Sequence, residues 1–264
     1  MDAQVDKDYG LPLDGKLALV TGASRGIGEG IAFELASRGA SVVLAYASPS
    51  SEPKINNLKK RIESLPHRPV AYSVRADLGS VEGPGQIISE LLQWTSNDLH
   101  LDILVNNAGL ERVKSLAEIQ IDDYDAVYNL NVRGIILLTQ AVLPHLEANA
   151  RIINLGSVGA RAGFQSLSLY CSSKAALEGL TRCWAAELGG NGTTVNCVNP
   201  GPVQSEMLDN IPKEIVDMQK AQTPIQNRLG TIQEVANIVA GLAGKDGAWV
   251  TGQVISASGG WAMY

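Results

Sequence analysis

The sequence contains few of the residues from which metal sites and disulfide frameworks are built. Its 264 residues include only three cysteines and three histidines, which are Cys171, Cys183, Cys197, His67, His100 and His145. No two cysteines form a CxxC pair, and the histidines lie far apart in the chain. We therefore expect neither a zinc site nor a set of disulfides, and a reducing, cytoplasmic setting.

An excess of basic residues is also absent. The chain has 21 Lys and Arg against 27 Asp and Glu, a net charge of −6, whereas a nucleic-acid-binding protein usually shows a basic face. The opening stretch "MDAQVDKDYGLPLDGK" lacks a basic segment followed by an apolar one, and no apolar run approaches the roughly 18–20 residues that span a bilayer. We expect no secretory signal and neither nucleic acid nor membrane as a partner.

Short apolar runs alternate with longer helical patterns along the whole chain. The predicted strands are "KLALVTG", "SVVLAY", "VAYSVRAD", "LDILVNNAG", "RIINLGS", "TTVNCVNPG" and "GQVISASGG". Predicted helices between them include Ile27–Arg38, Glu82–Trp94, Asp122–Leu146 and Leu169–Leu188. Runs without polar alternation are typical of strands buried on both faces. The pattern predicts an α/β fold, a Rossmann-like doubly wound parallel sheet of about seven strands with helices on both faces.

No linker or repeat divides this pattern, so a single domain is expected over residues 15–264. The polar residues 1–14 are predicted to form a flexible N-terminal arm. The segment at about 202–230 is long, contains several prolines and lies between predicted strands, which makes it a candidate lid.

A glycine-rich turn follows the first predicted strand in "LALVTGASRGIGEGIAFEL". Gly22, Gly26 and Gly28 allow positive φ and close approach of a ligand to the backbone. The helix that follows presents free N–H groups and partial positive charge, which suit a pyrophosphate. The first βα turn is where dinucleotides bind in doubly wound folds, so we predict a dinucleotide site here.

Several motifs in order resemble those of the short-chain dehydrogenase/reductases, in their single-domain branch. They are "TGASRGIG", "NNAG", "YNLNVRG", "NLGSVGA", "LYCSSK" and "NPGPVQSEM". The resemblance implies that Asn131, Ser157, Tyr170 and Lys174 are catalytic, that Lys174 also holds the nicotinamide ribose, and that Asn131 links a water to it. It implies a cofactor site made of Gly22, Ser24, Arg25, Gly26, Ile27, Gly28, Tyr46, Ser48, Asp77, Leu78, Asn107, Ala108, Gly109, Tyr170, Lys174, Pro200, Gly201, Val203 and Ser205.

The end of the second predicted strand indicates which dinucleotide binds. An acidic residue there would bond the ribose hydroxyls and repel a 2′-phosphate, but this chain has Tyr46. Arg25 in the glycine turn can reach a phosphate, and Ser48 can add a hydroxyl donor. Asp77 matches the family's aspartate near the adenine, although an Asp that caps the next helix looks the same in sequence. We predict NADP(H).

The spacing of Tyr170 and Lys174 places both on one helical face. A neighbouring ammonium favours the phenolate, so we expect Lys174 to lower the pKa of Tyr170 from its ordinary value of about 10. Ser157, thirteen residues before Tyr170, can donate a hydrogen bond to a substrate carbonyl. Gly156 stands where the family often has serine and is expected to leave extra room beside that carbonyl.

The predicted reaction is NADPH-dependent reduction of a ketone to a secondary alcohol on a mostly apolar small molecule. The resemblance reaches both 3-oxoacyl carrier-protein reductases and polyhydroxynaphthalene reductases, and the sequence does not separate them. An NAD-dependent alcohol dehydrogenase is opposed by Tyr46 and Arg25, and a cofactor-binding sensor or non-redox catalyst is opposed by the intact Ser157, Tyr170 and Lys174. Likeness implies a homotetramer, or a dimer, formed through the helices Asp122–Leu146 and Leu169–Leu188.

Overall fold

A computed structural model describes residues 10–204 and 213–264. Seven parallel strands form one sheet in the order β3-β2-β1-β4-β5-β6-β7. The strands are β1 (Leu17–Thr21), β2 (Ser41–Tyr46), β3 (Ala71–Arg75), β4 (Leu101–Asn106), β5 (Leu146–Leu155), β6 (Thr194–Pro200) and β7 (Val254–Ala257). The predicted doubly wound parallel sheet is confirmed.

Eight helices are described around this sheet. They are α1 (Gly26–Ser37), α2 (Glu52–Glu63), α3 (Gly83–Trp94), α4 (Ile121–Tyr128), α5 (Ile135–Val142), α6 (Ser168–Leu188), α7 (Lys213–Ala221) and α8 (Ile232–Ala243). One apolar core lies between the sheet and α1, α2 and α8, and it includes Ile31, Leu58 and Val239. A second core on the opposite face includes Ile87 and Leu138, from α3 and α5. Burial on both faces explains why the strands are apolar throughout.

The strand order positions the site. β1 lies between β2 and β4, so the chain runs outward to one edge through β2 and β3 and then returns to the other side of β1. The loops after β1 and β4 therefore diverge at the carboxyl end of the sheet and leave a crevice between them, which is where doubly wound folds bind ligands. The glycine turn and the "NNAG" segment are these two loops.

The predicted helix Asp122–Leu146 differs from the structure. It is divided into α4 and α5 by a π-helical turn over Asn129–Gly134, and a 3₁₀ turn then leads into β5. A π turn holds one more residue than an α turn, so it redirects the side chains within it, and such turns are common at functional sites. Asn131 lies in this turn and is fully buried.

By length and composition alone, the run Ile121–His145 could cross a membrane, which the sequence analysis did not expect. In the fold, Val127, Ile135, Leu138 and Val142 of this run are buried, and the last two pack in the core formed with α3. Packing in the core therefore accounts for the buried apolar residues of the run, as in the core helix of an α/β domain.

Of the predicted flexible arm, residues 1–14, the first nine lie outside the described residues. Among the described residues of the arm, Leu13 is held against the domain. Leu13 is buried, and its N–H donates to the carbonyl of Arg38 at 2.8 Å. An apolar side chain and a paired backbone amide tie this end of the arm to the C-terminal end of α1.

Candidate active site

The glycine turn closes tightly between β1 and α1. Gly22 and Gly26 have positive φ of +65° and +58°. A Cβ on Gly28 would lie 2.3 Å from the carbonyl oxygen of Gly22, so only glycine fits there. The side chain of Asn107 donates to the carbonyl of Thr21 at 2.8 Å, and its backbone N–H donates to the Thr21 hydroxyl at 2.9 Å. These bonds fix the "NNAG" segment against the turn and form a cradle of backbone at the switch point.

The predicted adenosine end of the site lies on the surface. Arg25 and Ser48 are exposed, and Ser48 caps a short 3₁₀ turn by accepting the N–H of Ser50 at 3.2 Å. Asp77 accepts the N–H of Gly79 at 2.8 Å, so it shapes a local turn and does not cap α3. Leu78 beside it is buried.

Arg75 is a residue of this region that the sequence analysis missed. It is exposed at the end of β3, and the strand register sets it opposite Tyr46. Its charge acts to lower the pKa of Tyr46, although burial and Glu52 together raise that pKa above its ordinary value. The pairing of β2 with β3 places this cation beside Tyr46, and sequence spacing does not reveal that pairing.

Ser157, Tyr170 and Lys174 converge beyond the carboxyl end of β5. The hydroxyl of Ser157 lies near that of Tyr170 and acts to lower the pKa of the phenol, and it accepts the N–H of Gly159 at 3.0 Å. Lys174 is buried, with its ammonium 5.8 Å from the centre of the Tyr170 ring. It donates to the carbonyl of Leu155 at 2.6 Å.

We expected Lys174 to lower the pKa of Tyr170, whereas in the structure that pKa lies above its ordinary value. Burial raises this pKa to about 12, Ser157 acts in the opposite direction and Glu111 adds to the rise. Burial also lowers the pKa of Lys174 to about 8. A buried lysine loses stabilisation of its charge, and the carbonyl of Leu155 takes one of its donors, so its charge does not offset the desolvation of the phenol.

Asn131 joins the "NNAG" segment to α6. Its side-chain oxygen accepts the N–H of Leu110 at 2.8 Å, and its amide donates to the carbonyl of Leu110 at 2.8 Å and to the hydroxyl of Ser173 at 3.0 Å. A Cβ placed on Gly109 would lie 3.3 Å from the ammonium of Lys174 and 3.4 Å from Asn131 Oδ1. Asn131 and Lys174 therefore approach each other across Gly109.

A buried polar network beneath Ser157 was also missed. The side chain of Asn199, in the "NPG" motif, contacts Ser157, Cys197, Glu178 and Tyr264. The prediction that Gly156 leaves extra room is wrong, because a Cβ there would lie 2.0 Å from Asn199 Oδ1. The space that a serine side chain would take is filled by this asparagine.

The predicted cofactor residues of the "NPGPVQSEM" motif follow the carboxyl end of β6 as far as the described chain extends. Pro200 ends β6, the N–H of Gly201 donates to Ala257 at 3.0 Å, and Val203 is buried and bridges to Gly230. Ser205 and residues up to 212 in the predicted lid lie outside the described residues. Within residues 10–204 and 213–264 no cluster of three or more His, Cys, Asp or Glu could hold a metal ion.

Comparison with known proteins places this geometry in a family. The family model described as enoyl-(acyl carrier protein) reductase matches residues 22–262. A short-chain dehydrogenase/reductase of Cladobotryum sp, named FrzI, is 41% identical over 93% of this chain and 95% of its own. The hydroxynaphthalene reductase-like protein Arp2 of Metarhizium majus is 40% identical over 94% of this chain and 95% of its own.

The fold agrees with that assignment. The crystal structure of a blue fluorescent protein from a metagenomic library, solved in complex with NADPH, superposes with a TM-score of 0.88 at 36% identity, over 96% of this chain and all of the other. The glycine turn, the buried lysine and the serine–tyrosine pair thus occur in a chain related over nearly its whole length to such enzymes. The chain belongs to the short-chain dehydrogenase/reductase family.

Proposed function

We propose that this protein uses NADPH to reduce a ketone to a secondary alcohol on a mostly apolar, aromatic substrate of the polyketide type. The observation that carries the proposal is the convergence of two neighbouring hydroxyls, Ser157 and Tyr170, with the buried Lys174 beside the crevice of the glycine turn. This arrangement can bind a carbonyl oxygen and transfer a proton to it.

The glycine cradle fits a dinucleotide. The missing Cβ at Gly28 and the positive φ at Gly22 and Gly26 let a pyrophosphate approach the backbone at the start of α1. When bound, NADPH supplies the hydride that the carbonyl carbon receives. The residues proposed to hold it are those of the glycine turn, the "NNAG" segment and the loop after β6.

Tyr46 ends β2, where an acidic side chain would repel a 2′-phosphate. Arg25 in the glycine turn and Arg75 opposite Tyr46 are both exposed, and either can form a charge-assisted bond to phosphate oxygens. The solved relative bound to NADPH supports the same choice. NADP(H) is therefore the cofactor we propose.

Tyr170 is the residue that donates the proton to the substrate oxygen. Its raised pKa keeps the phenol protonated at neutral pH, which suits a general acid that gives its proton to the reduced carbonyl oxygen. Ser157 donates a second hydrogen bond to the same oxygen and holds it near the phenol. Lys174 can restore the proton or stabilise the phenolate that remains, because its pKa near 8 lets it exchange protons at neutral pH.

The substrate class rests on the relatives and on the residues near the phenol. Relatives about 40% identical are named as hydroxynaphthalene reductase-like proteins. Phe164, in the segment that follows Ser157, packs against Trp261 with ring centres 5.5 Å apart and ring planes tilted by 40°. An apolar, aromatic wall of this kind favours a flat aromatic ketone over a charged or aliphatic one.

The test is NADPH consumption across three substrate sets: naphthalene-type ketones, β-ketothioesters and aliphatic ketones. We expect the naphthalene-type ketones to give the highest kcat/KM, and Tyr170→Phe to lower kcat by about 10²–10⁴-fold. Tyr72→Phe, which alters a tyrosine stacked on Trp94 away from this cleft, is the matched control. Full reductase activity in Tyr170→Phe would contradict the mechanism, and a preference for thioesters would contradict the substrate class.

We also propose that the protein self-associates through the α4–α5 face. Ile121, Tyr124, Ile136 and Leu143 of this run are exposed, between 37% and 70% of each residue. Exposed apolar residues grouped on one surface are typical of an interface between proteins. Light scattering should give the mass of a tetramer or dimer, and Ile121→Lys with Tyr124→Lys should shift it toward the monomer.

A further inference from the structure

Asn199 is a fully buried asparagine directly behind Ser157. We propose that it is a positioning residue: it sets the orientation of Ser157 and so of the hydroxyl that binds the substrate carbonyl. The inference rests on the proposed ketone reduction and adds to it a residue from β6 that does not itself touch the reacting atoms.

Every hydrogen-bonding position of the Asn199 amide is used. Its oxygen accepts the backbone N–H of Ser157 at 3.1 Å and the thiol of Cys197 at 3.3 Å. Its nitrogen donates to Glu178 Oε1 at 2.8 Å and to the hydroxyl of Tyr264 at 2.8 Å. Because two donors face the amide oxygen and two acceptors face the amide nitrogen, only one orientation of the Asn199 amide satisfies all four partners.

The two groups that accept from the Asn199 nitrogen, Glu178 and Tyr264, are themselves held in place. Glu178 is buried on α6 and accepts Arg161 Nε with both carboxylate oxygens, at 3.1 and 2.9 Å. The Arg161 guanidinium in turn stacks 4.1 Å above the ring of Tyr264. These contacts fix the side-chain amide of Asn199, and its hydrogen bond to the Ser157 N–H in turn restrains the backbone of Ser157.

The backbone next to Ser157 is adapted to the same asparagine. A Cβ on Gly156 would stand 2.0 Å from Asn199 Oδ1 and 2.8 Å from Cys197 Sγ. Asn199 thus packs against the bare backbone of Gly156 while it bonds the next amide. The hydroxyl oxygen of Ser157 is only two bonds from its Cα, so a shift of the Ser157 backbone amide moves the hydroxyl.

The experiment compares Asn199→Ala with Asn196→Ala. Asn196 is a matched control because it is also buried on β6 and hydrogen-bonded through both amide atoms, donating to Val250 at 2.7 Å and accepting from Gln253 at 3.1 Å, away from Ser157. We expect Asn199→Ala to lower kcat by about tenfold to a hundredfold, with the KM for NADPH close to wild type. Asn196→Ala should lower Tm to a similar extent and leave kcat near the wild-type value.

A double-mutant cycle separates positioning from general weakening of the fold. In a Ser157→Ala background the hydroxyl is gone, so Asn199→Ala should have little further effect on kcat if it acts through that hydroxyl. Equal losses of kcat in the presence and absence of the serine hydroxyl, or equal losses in the Asn199 and Asn196 variants, would overturn the proposal. If Asn199→Ala does not fold, Asn199→Ser replaces it, because a serine oxygen is one bond nearer the main chain and cannot take the place of Oδ1.

A readout without turnover keeps this test separate from the proposed reaction. Hydrogen exchange of the Ser157 amide should be faster in Asn199→Ala than in wild type and unchanged in Asn196→Ala. If the wild-type protein reduces no ketone but this amide behaves as stated, the proposed function fails and the positioning role stands. If ketones are reduced and the amide exchanges alike in all three proteins, the positioning role fails.

Discussion

The two ends of the site are built in different ways. At the cofactor end the surface is shaped by backbone, with positive φ at Gly22 and Gly26, and the side chains Arg25 and Ser48 are exposed. At the reacting end the side chains Lys174 and Asn131 are buried and hydrogen-bonded. The cofactor end therefore provides a shaped backbone surface and an exposed charge for a long ligand. The reacting end provides buried, fixed side chains that act on one oxygen atom.

This difference predicts how each end responds to change. A buried group cannot be replaced by water when it is removed, so substitutions at the reacting end should change kcat steeply. An exposed cation is screened by solvent, so its removal should shift the choice of ligand by a smaller factor. At the glycine turn, a substitution should weaken binding only where the new side chain would collide with the backbone.

The largest effect is expected from Lys174→Gln at the reacting end. This change removes the buried ammonium that bonds Leu155, and with it the group that can exchange protons beside Tyr170. We expect kcat to fall by about 10²–10⁴-fold, measured at saturating NADPH. The comparison of the two ends breaks down if Lys174→Gln instead raises only the KM for NADPH.

Next is Gly28→Ala at the cofactor end. The new Cβ would lie 2.3 Å from the Gly22 oxygen and 2.4 Å from Asn107 Nδ2, so the turn must open. We expect a loss of about 1–3 kcal/mol in the free energy of unfolding and weaker NADPH binding by titration. Gly85→Ala is the control: that glycine lies in α3 with open space around it, and alanine there should be neutral or stabilising. Wild-type affinity in Gly28→Ala would show that the cradle is not the binding surface.

Arg25→Ala should have a smaller, selective effect. The loss of a charge-assisted bond to the 2′-phosphate should lower kcat/KM for NADPH by about tenfold to a hundredfold and leave the value for NADH nearly unchanged. Arg38→Ala, which removes an arginine paired with Glu34 at 2.7 Å at the opposite end of α1, should alter neither. An equal loss for both cofactors would contradict the phosphate role, and Arg75 would then be the residue to test.

The smallest effect is expected from Glu111→Gln. The charge of Glu111 raises the pKa of Tyr170, so its removal should lower that pKa. Because the general acid must be protonated, the basic limb of the kcat/KM–pH profile should move to lower pH, with a change of less than about tenfold at pH 7. Glu63→Gln, at the exposed end of α2, should leave the profile in place. A shift to higher pH would mean that Glu111 does not act on the phenol as proposed here.

Local patterns were sufficient to predict much of this protein. Apolar runs without alternation, separated by helical periods, predicted seven parallel strands covered on both faces, because only a doubly covered sheet buries such runs. The glycine spacing after the first strand predicted the cradle at Gly28, since backbone conformation depends mainly on residues close in the chain. The motifs around Asn131, Ser157, Tyr170 and Lys174 predicted the family, which the comparisons confirm.

Contacts between distant segments were decided by the tertiary structure alone. Asn199 and Gly156 are 43 positions apart (199 − 156 = 43), yet Asn199 fills the space beside Gly156 that was expected to be extra room near the carbonyl. Arg75 meets Tyr46 only through the register of β2 with β3. The pKa of Tyr170 likewise depends on how deeply the phenol is buried, because desolvation is a property of the packed molecule and not of a motif. The order of residues therefore determined which groups exist and on which elements they lie, and packing decided which of them touch and which carry charge.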